Sequence, residues 1–256
     1  SGSQTPASAI SLMKGIAMTK FLAAAAAFLL FASCAPGSSS RWTDFQTRFT
    51  ERYFELAPTF AADQGRHEFD GRLPDWSEDG IAARIEFLRA SSEEAGGFTR
   101  LNDQQRYERD YLLARARGDL FWLDIADQPH TNPAFYMGAL SPSMYVTRSY
   151  APLDQRLRAY IRYLQAVPNA ARQIRANLRT PLPLTFIDYG VRSFGGLATY
   201  YESDGKAAFT SVNDAALQAE LNSASAGAAA PMSELAAWKE AQRPNATENF
   251  ALGGER

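Results

Sequence analysis

Residues 41–64 read RWTDFQTRFTERYFELAPTFAADQ, and their large apolar side chains recur at steps of three and four: Trp42, Phe45, Phe49, Tyr53, Leu56 and Phe60. A repeat near 3.6 residues puts them on one face, so an amphipathic helix is expected here, stopped at Gly65. Each such side chain contributes about 1.5–3 kcal/mol when fully buried. A stripe of this size needs a partner surface, which makes the segment one member of a helical array.

The same period continues toward the C-terminus. Ser77 with Glu78 and Asp79 forms an acidic helix start, followed by Ile81, Ile85 and Leu88 on one face. Asn102 or Asp103 caps a third helix, with Tyr107, Tyr111, Ala114, Leu120, Phe121 and Ile125 expected on its apolar side. Tyr150-Ala151-Pro152 opens another, with Leu153, Leu157, Tyr160, Ile161 and Leu164 as its core face. Pro168 is expected to break or restart that helix, because proline lacks the N–H and clashes with the preceding turn. Phe186, Tyr189, Phe194, Leu197 and Tyr201 mark a further helix, where Gly190, Gly195 and Gly196 point to a close neighbour or a kink. The low-complexity run Ala224–Ala230 reads as a linker before a short final helix, Pro231–Ala241. No segment alternates like a strand. The expected class is all-α, a multi-helix array.

Upstream of the opening stretch the chain reads as an address. Met18-Thr19-Lys20 precedes the apolar run Phe21–Ala32, which is well short of the ~20 residues that span a bilayer. With Phe31-Ala32-Ser33-Cys34 it forms a signal peptide ending in a sequence similar to the bacterial lipobox, where the Cys34 thiol would carry diacylglycerol. Phe31 stands where leucine is usual. The start is expected at Met18, with Met13 as the competitor. Residues 1–33 are thus the signal with an upstream extension, residues 34–41 the lipidated cysteine and a flexible tether, and residues 42–256 an incomplete helical domain. The expected location is the periplasm-facing cell envelope, anchored to the membrane through lipid. Ala35 after the cysteine resembles outer-membrane sorting.

Composition excludes several classes. The net charge of −2 over 256 residues does not suit a nucleic-acid partner. One cysteine and two histidines make a His/Cys zinc site hard to assemble, so this chain is expected to bind no metal and no cofactor. His67-Glu68-Phe69-Asp70 fails the zinc-peptidase spacing, because Gly71 stands where the second histidine is needed. His67 and Asp70 are better read as loop residues bonding backbone groups, and they remain the substrate-groove candidates. His130, between Pro129 and Thr131, reads as a capping or exposed histidine. The many Tyr and Arg side chains between Arg148 and Tyr163 would line a groove or serve as packing residues. No nucleophile elbow is present.

The segment Gly65-Arg66-His67-Glu68-Phe69-Asp70-Gly71-Arg72-Leu73-Pro74-Asp75 resembles the N-terminal signature of the bacterial domain-of-unknown-function family DUF885. So do Tyr150–Leu157, Asn132-Pro133 with Tyr136, and the closing stretch Trp238–Gly254. That resemblance implies a longer helical lipoprotein similar to zincin-type metallopeptidases, whose zinc-binding segment lies in a C-terminal half beyond Arg256. These residues would then be the non-catalytic N-terminal helices that pack on the catalytic half and wall its groove for a peptide substrate. The other reading is a short binding or scaffold lipoprotein without catalysis.

Overall fold

The computed structural model describes residues 38–248 and 250. The signal segment, Cys34 and the first part of the tether lie outside the described residues, as do residues 251–256. The chain divides into two compact units, Ser1–Asp44 and Phe45–Arg256. The described part of the first is the opening of α1.

Every described element is helical: α1 (Ser38–Leu56), α2 (Pro58–Asp63), a 3-10 turn (His67–Phe69), α3 (Glu78–Gly96), α4 (Asp103–Leu120), a π turn (Phe121–Ile125), the short α5 (Gln128–Thr131), α6 (Ala134–Met137) and α7 (Ser143–Thr147), α8 (Leu153–Asn177), α9 (Leu184–Glu202), α10 (Asp204–Ala207) and α11 (Ala215–Ala241). None of the described helices is long and apolar enough to cross a membrane. The opening stripe stops earlier than expected. Pro58 cannot donate to α1, so the chain breaks at Ala57 and restarts as α2. Phe45 and Tyr53 are buried, whereas Phe60 on α2 is exposed.

Helix starts follow their caps. Ser77 Oγ accepts from Gly80 N (3.1 Å) at the head of α3. Asn102 and Gln105 form a reciprocal capping box on α4. The core sits around α8, which buries Leu157, Tyr160, Ile161, Tyr163, Leu164, Val167, Ala171 and Ile174. α11 packs along both α8 and α9, and α3 pairs with α4. A smaller cluster joins Tyr53, Ala57, Leu88, Ala116 and Leu123.

Three expectations fail for physical reasons. Pro168 does not break α8, which runs through it with buried residues on both sides. Packing of Tyr163, Leu164, Val167, Ala170 and Ala171 outweighs one missing hydrogen bond. Ala224–Ala230 is not a linker but the middle of the 27-residue α11, where Ala224, Ser225, Ala228 and Ala229 are buried. Alanine is the best helix former and the smallest side chain that lets two helices approach. α9 shows the complementary side: a Cβ on Gly190 would stand 3.3 Å from Lys239 Cγ, and one on Gly195 3.8 Å from Ala236 Cβ. Finally, α4 turns the other way. It buries Gln105, Leu112 and Ala116, leaving Tyr107 and Tyr111 about two-thirds exposed.

Candidate functional site

Gly65, with φ of +89°, ends the α2 region in a left-handed turn, and the chain then passes through the short His67–Phe69 turn to Gly71, with φ of +84°. Phe69 is buried and anchors the turn. Arg66 braces it from outside by pairing with Glu51 (2.8 Å) and Glu68 (2.5 Å). Gly71 is required twice over, because a Cβ there would sit 2.5 Å from Arg162 Cβ in addition to the backbone strain. Its amide donates to the Tyr145 hydroxyl (2.9 Å).

This scaffold fixes one imidazole. His67 Nδ1 faces Asp70 Oδ1 (3.2 Å), and the other oxygen of Asp70 accepts from Tyr150 Oη (2.8 Å). The His67 ring lies flat on the Tyr150 ring, with centroids 3.9 Å apart and planes 6° from parallel. The Asp70 side chain is 6% exposed and that of His67 is 37% exposed. The partners of His67 and Asp70 are therefore side chains, in place of the backbone groups expected from the loop reading. Burial and the neighbouring Asp70 carboxylate hold the Tyr150 phenol well above its ordinary range. Burial pushes Tyr145 up to about 12. Both phenols therefore stay neutral at neutral pH, Tyr150 donating to Asp70 and Tyr145 accepting from the Gly71 amide. Among the described residues His67 Nε2 has no hydrogen-bond partner, so the arrangement presents an oriented imidazole nitrogen to a ligand. A cavity of about 310 Å3 lies nearby, lined by Thr59, Phe60, Ser141, Ser143, Tyr145 and Tyr163, and shares Tyr145 with the cluster.

Tyr150 belongs to the Arg148–Tyr163 stretch that the sequence marked for a groove or for packing. The packing role is the one visible in it. Arg156 is buried and donates to the carbonyls of Tyr145 (3.2 Å) and Arg148 (2.9 Å), which fixes the segment leading to Tyr150. Tyr160 and Tyr163 are core residues.

His130 is neither exposed nor a simple cap. It is 6% exposed, with Nδ1 against Asp127 and Nε2 against Glu78 Oε1 (3.0 Å). Arg179 completes the junction, donating from its guanidinium to Asp127 (2.8 Å) and from its amide to the His130 carbonyl (3.0 Å). Prolines on either side of His130 suggested a surface loop. Asp127 is a local partner three residues upstream, but Glu78 comes from 52 residues away and nothing near His130 announces it.

Lys239 was likewise not legible. It is fully buried on α11, and its Nζ makes no hydrogen bond. It lies 4.0 Å from the centroid of the Trp238 ring, over which Arg175 also stacks at 3.7 Å. Burial first, and the Arg175 charge second, push its ammonium down to about 7.

Among the described residues no three His, Cys, Asp or Glu side chains converge as metal ligands. The two ring nitrogens of His130 are already taken by carboxylates. The described residues therefore do not fit a zinc site.

The profile of the family described as bacterial protein of unknown function, DUF885, matches residues 58–256. No curated protein matches the chain. Among solved structures, one assigned as a lipoprotein of unknown function, from Shewanella oneidensis, superposes with a TM-score of 0.69 at 20% identity. The match covers 79% of this chain but only 38% of that one, and at this identity it establishes a shared fold.

Proposed function

The chain belongs to the DUF885 family of bacterial proteins, and from that premise we propose that it forms the helical, non-catalytic N-terminal portion of a lipid-anchored cell-envelope protein. In this reading Cys34 carries the lipid, and the helices wall a peptide groove completed by a C-terminal half of zinc-peptidase type. The protein faces the periplasm, from the outer membrane in preference to the inner. The observation that carries the groove is His67. A surface imidazole locked by a stacked tyrosine and a buried carboxylate, with Nε2 left over, is an expensive arrangement for a loop that needs only to turn. The lipid anchor is supported by the signal-like segment ending at Cys34 and by the name of the Shewanella structure, which also runs to more than twice the matched length.

The test is peptide hydrolysis by the longer parent protein with zinc supplied. His67→Gln should raise KM with kcat largely kept, because the residue contacts substrate without performing chemistry. A collapse of kcat at unchanged KM would place His67 in the catalytic step and refute the non-catalytic reading. An unchanged KM and kcat would remove His67 from the groove. The anchor is tested separately: Cys34→Ala should abolish labelling by a radioactive fatty acid in cells, and label persisting on the variant would disprove lipidation there.

A further inference from the structure

The exposed side of α4 carries a continuous apolar stripe. Tyr107, Tyr111, Ala114, Gly118, Trp122 and Ile125 follow one another at steps of four, three, four, four and three along α4 and the π turn. That is the spacing of a single helical face over about five turns. All six residues are exposed. Tyr107 is 69% exposed, Tyr111 67%, Trp122 45% and Ile125 52%. Eight large hydrophobic side chains are exposed among the described residues, and four of them fall on this face, so it is a patch and not a scatter of single residues. Its profile is concave in sequence terms. Aromatic and branched side chains stand at both ends, with Ala114 and Gly118 between them, and a Cβ added at Gly118 would meet nothing within 4 Å. Large ends with a small middle form a seat for a crossing helix, since the small residues let two backbones approach while the rings close around the visitor.

The opposite face of α4 shows that the stripe is not the core side. Gln105, Leu112 and Ala116 are buried there, with Leu120 half-buried behind them. α4 is therefore apolar on two sides but has a covering helix on one, namely α3.

We infer that this stripe is the docking surface for an apolar helix face supplied by the part of the parent protein beyond this chain. The inference rests on the proposed N-terminal role. It draws its occupant from the length of the matched Shewanella chain, of which these helices account for only 38%. The matched Shewanella chain carries most of its length outside the matched helices, and the stripe gathers four of the eight large hydrophobic side chains exposed among the described residues.

The experiment is tyrosine nitration with tetranitromethane, mapped by mass spectrometry, on the parent protein carrying Cys34→Ala so that no membrane is needed. Intact mass shows whether a longer parent exists, and light scattering shows whether it is a monomer. The expected result is loss of nitration at Tyr107 and Tyr111 in the monomer, with Tyr189, itself exposed at 37%, still modified. Gly118→Trp, which fills the seat, should restore nitration at both tyrosines while leaving the circular dichroism of the helices intact. Ready nitration of Tyr107 and Tyr111 in a folded longer monomer would overturn the docking proposal and leave the N-terminal role standing. A native protein that ends near Arg256 would overturn the role itself. Protection seen only in a dimer, or only when the acylated protein sits on lipid vesicles, would assign the stripe to a second copy or to the membrane, and would likewise refute the intramolecular helix.

Discussion

Replacing Lys239 with methionine should make the chain more stable, and by an amount that depends on pH. The side chain is fully buried, its ammonium has no hydrogen-bond acceptor, and Arg175 adds a second positive charge nearby. Burial and Arg175 together bring its pKa to about 7, against about 10.4 for a lysine in an unfolded chain. The folded state thus gives up this proton at lower pH than the unfolded state does. Between about pH 7 and pH 10 the unfolded chain holds more protons, so stability rises with pH across that window, at about 1.4 kcal/mol per pH unit. Below about pH 7 both states are protonated and the folded one carries the whole penalty, on the order of 5 kcal/mol. The contact with the Trp238 ring, worth roughly 0.5–2 kcal/mol where desolvated, is lost in the variant and offsets part of the gain. Methionine keeps the length and flexibility of the lysine stem and fills the same space beside Gly190. Urea unfolding of wild type and Lys239→Met, followed by circular dichroism, should show the variant ahead by a few kcal/mol at about pH 6, with the margin shrinking by about half at about pH 9. A margin that does not change with pH, or a variant that is less stable at about pH 6, would refute the picture of an uncompensated buried ammonium.

Four other substitutions probe the remaining architecture. Ala228→Leu should destabilise the chain by about 1–3 kcal/mol in thermal or urea unfolding, because Ala228 is fully buried on α11. A neutral effect would return residues 224–230 to the status of a linker. Gly71→Ala should cost more than about 1 kcal/mol, since it combines a positive φ with a Cβ placed 2.5 Å from Arg162 Cβ. The same change at Gly118, which is helical and faces open space, should stabilise by about 0.5–1 kcal/mol. His130→Ala should lose about 1–3 kcal/mol by removing the group that joins Glu78 of α3 to Asp127. Equal stability in wild type and variant would make that junction ornamental.

The parts of this molecule that were legible in the sequence are those whose physics is local. Caps at Ser77 and Asn102 announce α3 and α4, because a side-chain oxygen and a backbone amide a few residues apart are enough to define a helix start. The face of α8 was legible because Leu157, Tyr160, Ile161 and Leu164 recur at helical spacing, and all four are buried. α4 defeated the same argument. Its sequence carries two apolar faces, and only tertiary packing against α3 decides which is covered: Leu112 and Ala116 inside, Tyr107 and Tyr111 outside. The alanine-rich stretch of α11 failed for a related reason. Low complexity describes composition, whereas burial depends on α8 and α9, which pack along α11 from elsewhere in the sequence. The site divides along the same line. His67 and Asp70 are three residues apart, and both could be singled out from the Gly65–Asp75 stretch. Tyr150, which gives the pair its geometry, is 80 residues from Asp70, and Glu78 is 52 from His130. Residue types and spacing could nominate the imidazole at position 67, but they could not show that its Nδ1 is committed and its Nε2 is not. That asymmetry is what turns a loop histidine into a candidate substrate contact, and it exists only once α8 and the segment before it have closed over the turn.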